Sequence, residues 1–148
     1  MAYNPFKQVL FCVGCGFVGL IAGVLVNGFI VALGPRLIPP PAGLDMTSIE
    51  GLKNALPHLQ PYHFIFPFLA HALGTFFGAY LAARLSRRCS KLLALIIGTL
   101  FFVGGLINVV LLPAPVWFEI VDLTIAYFPM AILAGKLSCR HASGALKR

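Results

Sequence analysis

Apolar residues in this chain gather into four long runs, roughly 9–33, 63–85, 92–112 and 116–137. Inside each run they show neither the two-residue alternation of a half-buried strand nor the narrow apolar stripe of a helix on a soluble core. Each run is close to the ~20 residues that an α-helix needs to cross the hydrocarbon of a bilayer. The pattern predicts an all-α integral membrane bundle of four transmembrane helices, a single transmembrane domain over residues 1–148. The first run is longer than the ~7 to 15 apolar residues of a signal peptide and no A-x-A-like cleavage site follows it, so it is read as a retained helix.

Between the first two runs lies a long connection, residues 34–62, with start and stop signals of its own. Pro39, Pro40 and Pro41 predict a short extended piece. Thr47 stands three residues before Glu50, the spacing of a capping box, and predicts a short amphipathic helix from Ser48 to about Leu56. Ile49, Leu52 and Leu56 recur at helical spacing and would lie on the membrane surface or over the bundle as a lid.

Composition agrees: 59% of residues are hydrophobic and only 10% are charged, against about 25% charged in a soluble domain. The charges then orient the spans. Of the 11 Lys and Arg residues, nine fall where both termini and the middle connection share a side: Lys7, Arg84, Arg87, Arg88, Lys91, Lys136, Arg140, Lys147 and Arg148. The other side keeps Arg36 and Lys53 with all four acids, Asp45, Glu50, Glu119 and Asp122. Lys and Arg beside spans favour the cytoplasm, so both termini are expected there and the 34–62 loop outside. The formal net charge of +7 is thereby explained by topology and anionic headgroups, and nucleic acid is not an expected partner.

Cys12, Cys15, Cys89 and Cys139 all fall at the expected cytoplasmic ends of spans, where thiols stay reduced, so no disulfide framework is expected. Cys12 and Cys15 form a single C-x-x-C with no second pair at metal-ligand spacing; they read as small apolar groups in packing, and neither a metal nor a cofactor is expected.

Two halves of the chain resemble each other weakly. "GVLVNGFIVALGP" aligns with "GGLINVVLLPAP", matching Gly23 to Gly104 and Asn27 to Asn108, and "LAARLSRR" aligns with "LAGKLSCR". Two parallel helical-hairpin repeats would produce this, and so would chance between short apolar stretches. The packing code is plainer. Ala70, Gly74, Gly78 and Ala82 make a small-residue face on the second span, and Gly19 and Gly23 make another on the first, as close helix approach in lipid requires.

Polar side chains inside the spans are few, and each is costly unless it faces the bundle interior. His71 lies near the middle of the second span, whereas Asn27, Asn108, Glu119 and Asp122 lie in the external halves of theirs. The five predict an outward-facing polar pocket, with Asp122, the deeper acid, the strongest candidate. Thr124 and Tyr127 continue its polar character inward, and Pro67 and Pro129 each remove a backbone hydrogen bond and can kink their spans. No G-x-S-x-G, H-E-x-x-H or phosphate-loop motif is present, so the sequence leans away from an enzyme.

The pieces "IPPP", "HFIFPFLAHALGT" and "LPAPVWF", within a stretch from about Gly34 to Leu123, resemble a group of small bacterial four-span membrane proteins without an assigned activity. That resemblance implies a bacterial inner-membrane location and carries no catalytic residue across. Three functions fit the residues: transport or binding of a small solute or ion in the polar pocket, for which a homo-oligomer is an expected form, a non-catalytic accessory or assembly subunit of a larger membrane complex, and a membrane-embedded enzyme. Beyond the lipid bilayer, the sequence names no partner or ligand.

Overall fold

The computed structural model describes residues 5–86 and 89–145, and side chains as far as Cys139. Its elements are α1 (Pro5–Leu37), α2 (Ile49–Ala55), α3 (Ile65–Leu85), α4 (Ser90–Leu111), α5 (Val116–Ile125) and α6 (Phe128–Ala145), with short 3₁₀ turns at Leu56–His58 and Pro61–Phe64. Among the described residues, four stretches are long and apolar enough to cross a membrane: Pro5–Leu37, Pro61–Leu85, Ser90–Leu111 and Val116–Cys139. The protein is an all-α, multi-pass membrane bundle. Arg87, Arg88, Lys147 and Arg148, and the side chain of Arg140, which the charge argument uses, lie outside the described residues.

Helix α3 is the centre of the bundle, touching α1, α4 and α6, while α1 packs on α3 along its length and meets α4 only sparsely. Glycine makes the α1–α3 seam. A methyl built on Gly19 would lie 2.5 Å from Ala82 Cβ and 2.6 Å from the Gly78 carbonyl oxygen, and one on Gly23 would lie 2.7 Å from the Gly74 carbonyl oxygen. The small-residue faces of the first two spans therefore meet each other inside one chain, backbone against backbone. A second seam joins α4 to α6, where a methyl on Gly98 would meet Ala131 Cβ at 2.6 Å. The outer face of α1 is covered by side chains such as Leu10, Phe17 and Phe29, each more than 60% exposed, which is how a helix dissolved in lipid presents itself.

Several local expectations need correction. The fourth span is not one helix: it breaks at Ala126–Tyr127, where Pro129 offers no N–H to the Ile125 carbonyl. Pro67 does not kink α3, because it falls in the first turn, where its N–H would have no intrahelical partner anyway. Helix α2 is capped by Ser48 rather than Thr47. The Ser48 hydroxyl accepts from the Gly51 N–H at 3.0 Å, and Asp45 accepts from the Thr47 N–H at 2.8 Å and from the Thr47 and Ser48 hydroxyls at 2.6 Å each. Glu50 is thus one position too early for a capping box.

The cysteines are the largest correction. Cys12 and Cys89 form a disulfide, with Cα atoms 6.4 Å apart, because the start of α1 lies beside the turn between α3 and α4. Cys15 is buried against Ala79, Ala83 and Leu93 as a small apolar group, and Cys139 Sγ lies 3.3 Å from the Ser90 hydroxyl.

Candidate functional site: a buried His–Asp–Tyr centre below a loop-covered cavity

A cavity of about 310 Å³ opens at the end of the bundle that carries the 34–62 loop, and Asp122, His71, Asn108, Asn27 and Glu119 all line it. Its walls come from the loop-end halves of α1, α3, α4 and α5. Leu52 and Leu56 of α2 and its adjoining turn form part of its rim with Met46 and Pro40, while Ile49, at the start of α2, stays exposed. The loop is anchored at two places. Leu56, Phe64 and Phe118 form a small apolar cluster, and the His63 ring bridges the Gln60 N–H at 3.0 Å and the Pro39 carbonyl at 3.2 Å.

At the base of the cavity, His71 Nδ1 lies 2.9 Å and 2.8 Å from the two carboxylate oxygens of Asp122. The Tyr127 hydroxyl donates to Asp122 Oδ2 at 2.7 Å. Asp122 is only 4% exposed and Tyr127 only 1%, so the carboxylate is taken out of water and stabilised by two donors from two directions. Removing one partner of such a buried pair typically costs ~3–5 kcal/mol, because the other is left uncompensated. Asn27 and Asn108 share the cavity with His71 but, among the described residues, make no direct side-chain hydrogen bond with it. Glu119, one turn nearer the loop end than Asp122, also faces the cavity.

The break in the fourth span creates this geometry. On an unbroken helix, residues five apart point about 140° away from each other, so Asp122 and Tyr127 could not meet. With the turn at Ala126–Tyr127 they do. The Tyr127 ring then packs beside His71, with centroids 5.7 Å apart, and edge-on to Phe102 at 5.8 Å. Sequence spacing placed Tyr127 on the polar continuation of the pocket but not as a partner of Asp122; the nearby Pro129 is the signal for the break that brings them together. Thr124 does not continue the polar line, since its hydroxyl donates back to the Ile120 carbonyl at 2.6 Å.

This centre can hold a proton between an imidazole and a carboxylate, and it can present His71 Nε2 and two amides to a bound polar group. Among the described residues, no group of three or more His, Cys, Asp or Glu side chains is arranged to hold a metal ion.

No protein-family model matches this chain, and no solved structure matches it. Among curated proteins, it is similar to the protoheme IX farnesyltransferases of two strains of Thermus thermophilus. Each is 34% identical over 122 residues, covering 75% of this chain and 19% of the relative. The chain thus spans about a fifth of the length of the curated relatives it matches.

Proposed function

We propose that this protein is a bacterial inner-membrane protein, with both termini cytoplasmic, that binds a small solute or ion in an outward-facing pocket floored by His71, Asp122 and Tyr127 and carries or senses it. One observation carries the reading: an acid-base pair is kept buried at the base of an open cavity, although apolar side chains would pack there at lower cost. The charge distribution supports the orientation, since it puts the loop end outside; the Cys12–Cys89 disulfide, at the end so placed in the cytoplasm, stands against it.

A second reading, a subunit that assembles with a larger membrane enzyme, is favoured by the similarity to part of a much longer protein and by the bare apolar face of α1. The relatives' printed activity, transfer of a farnesyl group to protoheme IX, would make that enzyme one that handles lipid or porphyrin substrates.

Native mass spectrometry of the gently purified protein separates the two. A bound small molecule that is lost in Asp122→Asn, with the fold retained, supports the pocket. A stoichiometric protein partner, with no ligand and no effect of Asp122→Asn, supports the subunit reading instead.

A further inference from the structure

Because α1 leans on α3 and not on α4, a groove runs between α1 and α4 on the lipid-facing side of the bundle. Away from the loop end it encloses about 690 Å³ between Val13, Phe17 and Leu20 of α1 and Leu93, Ile97 and Leu100 of α4. A smaller space of about 360 Å³ continues it toward the loop end, sharing Leu20 and Leu100 with the groove and Asn27, His71, Gly105 and Asn108 with the cavity above the His–Asp pair. The three spaces adjoin end to end, each sharing lining residues with the next, from apolar lipid-facing groove to polar centre. Gln8 to Leu20 is about 18 Å of helix, the scale of one leaflet of hydrocarbon.

The chemistry at the top of the path is specific. Nδ1 of His71 and the Tyr127 hydroxyl are committed to Asp122, which leaves His71 Nε2 and the amides of Asn27 and Asn108 to face a guest. These groups donate and accept hydrogen bonds, and the two amides carry no charge. Among the described residues, no Lys or Arg lines any part of the path, and the acids present are Glu119 and Asp122, so an anionic phosphate head would find no Lys or Arg to pair with and two carboxyl groups nearby. A charged head would also have to reach the middle of the bilayer, where ionised groups cost at least ~2.5–3.5 kcal/mol.

We propose that the guest of this centre is a membrane amphiphile with one long apolar tail and a small neutral head bearing a hydroxyl or carbonyl oxygen, admitted sideways from the bilayer between α1 and α4. The proposal rests on the pocket reading above and names its ligand class. The tail lies in the groove beside Phe17 and Leu100, and the head hydrogen-bonds to His71 Nε2, Asn27 and Asn108.

The test uses the full-length protein in phosphatidylcholine nanodiscs and tritiated 1-hexadecanol, with hexadecane, hexadecyl phosphate and hexadecyltrimethylammonium as competitors. Hexadecanol should bind saturably, and all three competitors should displace it at least tenfold less well than unlabelled hexadecanol. A methyl at Gly104, in the connecting space, would meet nothing within 4 Å, so Gly104→Leu fills the path without striking the bundle and should weaken binding at least tenfold. Gly28→Leu, equally open but away from the path, should change binding less than twofold. If Gly104→Leu elutes as aggregate, Val24→Phe on the same space takes its place with the same expected loss. Equal binding of hexadecane, tighter binding of either charged amphiphile, or unchanged binding in the path-filling variant overturns the proposal. A water-soluble ligand that co-purifies and is lost in Asp122→Asn, with no hexadecanol binding, would overturn it and leave the pocket reading standing. No ligand of either kind would remove both.

Discussion

Gly19→Ala is the sharpest perturbation of the helix seam. In the middle of a helix, exchanging Gly for Ala gains about 1 kcal/mol from helix propensity alone. At Gly19 the new methyl would stand 2.5 Å from Ala82 Cβ and 2.6 Å from the Gly78 carbonyl oxygen, so α1 must move outward by about 1 Å to restore ordinary contact. A radial gap of that size forfeits roughly a quarter to a half of the dispersion well for every atom pair along the seam, and overpacking of this kind typically costs ~1–3 kcal/mol. With backbone opposing the methyl, the upper part of that range applies, and the net loss is about 2 kcal/mol. For a chain of this length that is a fall of about 4–8 °C in the melting midpoint. Gly14→Ala, on the same helix with nothing within 4 Å of its new methyl, is the matched control and should melt at or slightly above the wild type. The assay is thermal unfolding in a mild detergent, followed by the fraction surviving size exclusion after heating. Equal midpoints for the two variants would refute the seam.

Three further outcomes follow from the same structure. Alkylation of the denatured protein should label Cys15 and Cys139 without reductant and all four cysteines after reduction, read by mass; four labels without reductant would remove the Cys12–Cys89 bond. A reporter active only in the cytoplasm should give signal after Arg148 and within 86–90 but none within 39–56, and signal from the latter would invert the topology. The Asp45 carboxyl is held down to about 2, first by the Ser48 hydroxyl and then by Thr47; with its folded pKa below the usual 3.8, the cap of α2 contributes fully above about pH 4 and is lost as pH falls toward 2, so the protection of the Gly51 amide, its hydrogen exchange relative to the free-peptide rate at each pH, should fall across that window, and a constant protection would contradict it.

The spans were legible because a bilayer imposes a length and a composition, and runs such as 92–112 satisfy both without reference to any neighbour. The rotation of each span was not. A helix in lipid is apolar on nearly every side, so periodicity says little about which face is inward, and nothing in the sequence distinguished Asp122 from Asn27 or Asn108 as the direct partner of His71. Tyr127 was legible as polar character continuing the pocket, but its bond to Asp122 was hidden for a geometric reason: five residues away, it reaches the carboxylate only across the break that Pro129 permits. The disulfide was hidden because the expected reducing side argued against it, and because Cys12 and Cys89, 77 residues apart, become neighbours only once α1 has packed on α3. The glycine faces were legible as faces, and the close approach of Gly19 to Ala82 is the finding that gives them a partner.

The central claim is that His71 and Asp122 are joined at the base of the cavity. Solid-state NMR of the protein in liposomes, with ¹⁵N in histidine and ¹³C in aspartate side chains, measures this contact by dipolar recoupling between His71 Nδ1 and the Asp122 carboxyl carbon. With Nδ1 at 2.9 Å and 2.8 Å from the two carboxylate oxygens, the account predicts a strong coupling that Asp122→Ala abolishes. A His71 ring uncoupled from Asp122 in the wild-type protein would contradict it.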